Sequence, residues 1–226
     1  MRQTYHVRLD ALGDHGARMC RLAGDTLRDA TKALLDANLS LAEEVINQDA
    51  KLDEMRSDTE AVALELLALQ SPVASDLRIV VSALWIVADL QRMGALAIHV
   101  AKAARRRHPH SAAPAAIRPL IAQMGATGVR LANQAEEVLR TRNLELAHQM
   151  VAQDADMDEL HQRVFATLLA PTWTAGVGPA VDIAMLGRFY ERFADHAVAA
   201  ARRVVFLVTG DNVGGDTAPA LTAPES

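Results

Sequence analysis

The sequence has little of what a disulfide-stabilised, β-rich or nucleic-acid-binding protein needs. Its single cysteine, Cys20, cannot form an internal disulfide and is typical of a reducing compartment. Only 4% of the 226 residues are aromatic, and the apolar residues are mostly Ala, Leu and Val, which favours close-packed helices over a sandwich or barrel. The net charge of −5 argues against nucleic acid as a partner, because phosphate binding requires clustered basic residues.

Long hydrophobic runs are also absent. The longest nearly apolar run, Ile79 to Ala88, is far too short to cross a bilayer, so no transmembrane segment is expected. The segment Met1 to Asp10 is polar and lacks the apolar stretch of a signal peptide. We therefore expect a cytoplasmic protein that can reach the inner face of the membrane only through its partners.

Residues that would carry catalysis are missing as well. The sequence suggests no Ser-His-Asp or Cys-His arrangement, and it has no glycine-rich loop that would hold phosphate groups. We therefore expect that the protein is not an enzyme and that it holds no organic cofactor.

What the sequence does contain is helical periodicity, with apolar residues recurring at spacings of three and four. It predicts six helices and no strands. The second helix is predicted over about 39–69, and Ser71-Pro72 ends it before Ser75-Asp76 caps the third. The fifth is predicted to begin near Leu144 and the sixth to cover about 180–208. Residues 211–226 lack periodicity and are predicted to form a disordered tail.

An internal repeat relates the two halves of the chain. The segment Asn38–Met55 aligns without gaps on Asn143–Leu160, with nine of eighteen positions identical. The third helix likewise resembles the sixth. The sequence therefore predicts an all-α protein of two tandem, pseudo-symmetric three-helix bundles, covering residues 1–108 and 112–210.

Two pairs of acidic residues stand out in the second half. Asp154 and Asp158 lie one turn apart on the fifth helix, and Glu191 and Asp195 have the same spacing on the sixth. If these helices form an antiparallel hairpin about Thr174, the four carboxylates meet across the two helices. Oxygen ligands of this kind select a hard cation such as iron, manganese, magnesium or calcium. The alternative is a solvated acidic face that pairs with neighbouring arginines.

The first half has only part of this pattern. Asp49 and Asp53 match the first acidic pair, but Gln91 and Ala95 stand where Glu191 and Asp195 would be expected. Asp89 lies nearby without completing a four-oxygen set. We therefore expect the first bundle to bind a cation weakly or not at all.

A second interpretation comes from two carboxylate-x-x-His elements. Glu145-x-x-His148 and Asp158-x-x-His161 resemble the element of ferritin-like di-iron bundles, which oxidise or store iron. That architecture requires the element on two different helices, whereas both copies here lie on the predicted fifth helix. An iron-handling bundle remains the alternative function.

Three motifs together resemble the PhoU family of accessory regulators of bacterial phosphate uptake. They are the segment Gln70–Arg78, which is similar to the family pattern Gln-x-Pro-x-Ala-x-Asp-Leu-Arg, and two copies of a Glu-Arg-x-Gly-Asp element at Gln91–Ala95 and Glu191–Asp195. With the tandem three-helix layout, the resemblance covers residues 1 to about 210.

The resemblance implies a function without chemistry of its own. Members link the phosphate ABC transporter, through its ATPase subunit, to a membrane sensor histidine kinase, and they repress phosphate-starvation genes when phosphate is plentiful. Members also bind metal clusters, often of iron, through E/D-x-x-x-D motifs. Carried over to this sequence, the motif implies Asp154, Asp158, Glu191 and Asp195 as ligands. The oligomeric state stays open, and a homodimer is one alternative.

Overall fold

The computed structural model describes residues 2–211, with the side chains of 2–7, 10, 70 and 154 left out of the description. Seven helices and no strand occur in that range, which confirms the all-α fold class. The predicted tail lies almost wholly outside the described residues. The helices are α1 (Arg2–Asp36), α2 (Leu39–Ile46), α3 (Asp49–Gln70), α4 (Ala74–Arg107), α5 (Arg118–Thr141), α6 (Leu144–Leu169) and α7 (Val177–Thr209).

The second predicted helix is in fact two helices, α2 and α3, so the prediction of a single helix over 39–69 was wrong. The chain turns at Asn47 and Gln48, where the amide of Gln48 donates to Val45 O instead of continuing the α-helical pattern. The repeat explains the difference between the two bundles. Asn47 corresponds to Ala152, and Ala is the best helix former while Asn is a poor one, so α6 stays continuous.

The start of α4 also differs from the prediction. The predicted caps, Ser75 and Asp76, lie inside the first turn, and the extended residue Val73 precedes the helix without any side-chain cap. Asp76 instead favours the helix start as a negative charge near the positive end of the helix dipole. By contrast, Asn38 and Asn143 cap α2 and α6 in the same way, each accepting from an amide three residues on.

The first half of the chain forms the four helices α1 to α4, and the second half forms the three helices α5 to α7. The two halves pack on each other along two long helix pairs, α1 with α5 and α4 with α7. As a result one hydrophobic core runs through both halves, and a smaller apolar cluster closes the end of the first half around Leu9 and Leu66. The outer helices α3 and α6 flank the α4–α7 pair.

Helices α1 and α5 approach closely because glycines face the partner helix. A Cβ atom on Gly125 would lie 2.6 Å from Thr31 Cγ2, and one on Gly128 would lie 2.6 Å from Leu27 Cδ2. The same Thr31 hydroxyl is 2.9 Å from the hydroxyl of Tyr190, which is fully buried on α7. This polar contact joins the two halves inside the buried core.

Helices α4 and α7 run antiparallel. At one end, Arg107 on α4 pairs with Asp182 near the start of α7. At the other end, the Trp85 ring packs against Phe206, with the guanidinium of Arg203 4.6 Å from its ring centre. The contacts therefore hold the two helices together over most of their length.

Helix α4 is long and apolar enough, by length and composition, to span a membrane. Its packing accounts for this hydropathy, since α4 contacts α1, α3 and α7 and carries fully buried residues such as Val80, Leu90 and Val100. A core helix of a bundle has the same composition.

Candidate functional site

The hairpin of α6 and α7 carries the predicted carboxylate site. Trp173 anchors the turn between them, because its indole Nε1 donates to Gly176 O over 3.0 Å. Further along, the Gly187 backbone faces His161, and a Cβ on Gly187 would lie 3.0 Å from His161 Cδ2. His161 and Gly187 are equally distant in sequence from Thr174. The helices therefore pair in the register that the reflection about Thr174 predicted.

This register brings Asp158, Glu191 and Asp195 near one another. Partial burial is the largest cause that raises the pKa of Asp195, and the negative charges of Glu191 and Asp158 raise it further. Arg188 and His196 act in the opposite direction but do not cancel these effects. Electrostatic repulsion among carboxylates is therefore present on this hairpin.

The described side chains do not by themselves form a finished metal centre. Glu191 accepts a hydrogen bond from Arg188 Nη1 over 2.5 Å, so one predicted ligand is occupied by a cation of the protein itself. Within the described part of the chain, no group of three His, Cys, Asp or Glu side chains is arranged to hold a metal ion. The fourth predicted ligand, Asp154, has a side chain outside that description. The metal site stays a prediction.

The acids of the first half face separate partners. Asp53 Oδ1 accepts from Gln91 Nε2 over 3.1 Å, so the amide occupies the place that a second carboxylate would have. Asp49 lies close enough to His99 to raise the pKa of that imidazole, against the larger lowering by burial.

Asp89 faces away from the α3–α4 hairpin and towards α7. Its Oδ1 lies 3.0 Å from His196 Nδ1, and its Oδ2 lies 3.6 Å from Arg203 Nε. The three acids named as weaker ligands therefore do not converge on one point in the structure.

Both carboxylate-x-x-His elements lie on α6. Glu145 accepts from Gln149 and His148 is exposed, whereas His161 packs edge-on against Phe165. The facing pair of helices that a ferritin-like centre requires is not formed by these residues.

A cationic groove at the α4–α7 seam was not predicted from the sequence. It has a volume of about 310 Å³ and is lined by Arg92, Ala95, Leu96, His99, Arg192 and His196. In the sequence, the groove is indicated by the arginine that each copy of the Glu-Arg-x-Gly-Asp element contains. Only the antiparallel packing of α4 and α7 reveals that the two arginines share a groove.

Fold and site together define an all-α protein whose two halves share an internal repeat, with a charged face where α4 and α7 meet. A family model for the PhoU domain matches the chain twice, at residues 17–104 and 121–204. The chain belongs to the PhoU family.

Relatives from bacteria align with nearly the whole chain. It is 49% identical over 219 residues to the phosphate-specific transport system accessory protein PhoU homolog 1 of Mycobacterium leprae, covering 97% of this chain and 99% of that protein. It is 50% identical to PhoU homolog 2 of Mycobacterium tuberculosis H37Rv, covering 93% and 99%. The crystal structure of PhoU from Pseudomonas aeruginosa superposes with a TM-score of 0.85 at 25% identity, covering 92% of this chain and 100% of that one.

Proposed function

We propose that the protein is an accessory regulator of a phosphate-specific transport system. The supporting observation is the match to named accessory proteins of such systems over more than nine-tenths of both chains. We propose that this regulator acts by binding other proteins, without chemistry of its own.

The finer part of the proposal concerns the partners. We propose that the protein connects the ATPase subunit of the phosphate ABC transporter with a sensor histidine kinase and keeps starvation genes repressed at high phosphate. It does this in the cytoplasm and reaches the membrane through these partners. The α6–α7 hairpin offers apolar side chains for such contacts, with Phe165, Leu169, Val181 and Met185 all exposed.

Gene replacement tests this proposal. Mycobacterium tuberculosis H37Rv has two relatives of this chain, homologs 1 and 2, so the host strain must lack every family member. Expression of this chain is expected to restore repression of a starvation-gene reporter at high phosphate. A reporter that stays active while the protein accumulates normally would contradict the proposal. The variant Leu27→Asp is the negative control and is expected not to restore repression, because an unpaired charge at the fully buried Leu27 position disrupts the core.

We also propose that the α6–α7 carboxylates bind a hard divalent cation. The raised pKa of Asp195 supports this, because a cation relieves the repulsion from Glu191 and Asp158. Arg188 would then release Glu191. Metal analysis of purified protein is the test, with Asp154→Ala/Asp195→Ala expected to lose the metal and Asp49→Ala/Asp53→Ala to retain it. Equal metal content in the unmodified protein and in both variants would contradict the assignment of the α6–α7 carboxylates as metal ligands.

A further inference from the structure

The cationic groove lies where the two halves of the molecule meet. Arg92, Ala95, Leu96 and His99 line it from one face of α4, and Arg192 and His196 line it from α7. All four of its polar lining side chains are nitrogen bases, and the lining contains no carboxylate.

The repeat explains why two arginines meet there. Arg92 and Arg192 occupy the same position in the two copies of the Glu-Arg-x-Gly-Asp element. Because α4 and α7 pack antiparallel near their midpoints, residues at equivalent positions lie on either side of a pseudo-twofold axis. Each half of the protein therefore contributes one guanidinium to the same groove.

These two arginines differ from the arginines around them. Arg107 pairs with Asp182, and Arg188 pairs with Glu191. Arg92 and Arg192 are exposed and make no hydrogen bond or ion pair with any described side chain. Two like charges that share a groove, with no partner among the described side chains, raise the local positive potential, which an anion would lower.

The histidines complete the lining. Asp89 engages His196 at Nδ1, over 3.0 Å, which leaves Nε2 as the ring nitrogen available to a ligand. The His99 ring stacks on Phe189 with centres 5.2 Å apart, so its plane is fixed against the wall of the groove. The two oxygens of Asp89 face His196 and Arg203, so this carboxylate is directed at those side chains and not at Arg92 or Arg192.

We propose that this groove binds a phosphate group, held between the guanidinium of Arg92 on one side and that of Arg192 on the other. A guanidinium presents paired N–H donors that match two oxygens of a tetrahedral oxyanion. On the measure by which about 10–15 Å³ suffices for one water, the groove of about 310 Å³ has room for the anion and several waters. The proposal does not rest on the proposed regulatory function, and none of the residues that line the groove is one of the four proposed carboxylate ligands.

Calorimetric titration of the full chain with inorganic phosphate, and separately with ATP, tests the site at constant ionic strength. Binding of inorganic phosphate would identify the free anion as the source of the phosphate group, and binding of ATP alone would identify a nucleotide. The variant Arg92→Gln/Arg192→Gln is expected to bind at least about tenfold more weakly, since charge-assisted hydrogen bonds are lost. Arg92→Lys/Arg192→Lys keeps the charge but loses the paired donors, and intermediate affinity is expected.

The matched control is Arg28→Gln/Arg56→Gln, which removes two positive charges from α1 and α3 at side chains that do not line the groove. It is expected to bind like the unmodified protein. Three results would overturn the proposal: no binding of either ligand, equal binding by the groove variant, or an equal loss in the control variant. Thermal unfolding of each variant establishes that it is folded before titration.

Discussion

The side-chain amide of Gln91 on α4 donates a hydrogen bond to Asp53 Oδ1 on α3 over 3.1 Å. The corresponding position on α7 is Glu191, whose carboxylate is held by Arg188. The repeat has therefore kept the helix pairing in both halves while changing the charge at this position. In the first half this position holds a neutral amide that bonds to Asp53. In the second half it holds the negatively charged carboxylate of Glu191.

Restoring the missing acids should change the first half in a defined way. In Gln91→Glu/Ala95→Asp, the hydrogen bond to Asp53 is replaced by repulsion between carboxylates, and we expect a loss of about 1 kcal/mol in unfolding free energy without metal. Added Mn²⁺ should raise the melting temperature of this variant more than that of the unmodified protein. Differential scanning calorimetry with and without the ion measures both effects.

The neutral variant Ala95→Asn, with Gln91 retained, controls for the change in side-chain size. Its response to Mn²⁺ should equal that of the unmodified protein. If the diacid variant also shows no additional response, the carboxylate pattern does not suffice for cation binding in this fold.

The glycines of the long helices should respond to alanine in opposite directions. Gly125→Ala places a methyl group against Thr31 Cγ2 and Oγ1, which a rigid β-branched side chain cannot avoid, so a loss of about 1–3 kcal/mol is expected. Gly13→Ala meets no atom within 4 Å and should gain about 0.5–1 kcal/mol from better helix propensity. Urea denaturation of both variants gives the comparison, and a stabilising Gly125→Ala would contradict the close α1–α5 packing.

The helix pairing of the second half could be predicted from the sequence because its signals are local. The break at 170–176 sets the hairpin, and the hairpin alone fixes which residues of α6 and α7 face each other, as His161 and Gly187 do. The cap at Asn143 is likewise a property of its own segment. The interruption between α2 and α3 is less visible, since Asn47 lowers helix propensity without forbidding the helix.

The inter-bundle features could not be predicted in this way. The direction of Asp89 depends on how α4 packs on α7, because its partners His196 and Arg203 are more than a hundred residues away. The groove of Arg92 and Arg192 depends on the same long-range packing. The periodicity of one helix indicates which residues are polar, but not which other helix they will meet.

Asp195 should make the protein's stability depend on pH. Its pKa is raised in the folded state, so the folded protein binds the proton more tightly than the unfolded chain, and stability falls as pH rises from the ordinary aspartate range through the folded pKa. Above the folded pKa, the free energy of unfolding is reduced by the full cost of keeping Asp195 ionised in the folded protein. Asp195→Asn should therefore be slightly more stable than the unmodified protein near neutral pH, by less than about 0.5 kcal/mol because the site is partly exposed.

Chemical denaturation without metal, at neutral pH and at a pH below the ordinary aspartate range, measures this effect. The advantage of Asp195→Asn should vanish in acid and should shrink at high salt, which screens the charges of Glu191 and Asp158. An advantage that persists in acid would show that repulsion is not its cause.

Cys20 should report on opening of the core. It is fully buried, its thiol donates to Ala132 O over 3.3 Å across the α1–α5 pair, and burial raises its pKa, so little reactive thiolate forms. Ellman's reagent should therefore leave the native protein unlabelled and react only as the protein unfolds in urea. The variant Ser57→Cys, which places a second thiol at an exposed position on α3, should give one rapid equivalent at once. Rapid labelling of Cys20 itself under native conditions would show that α1 and α5 separate readily, contrary to their close packing.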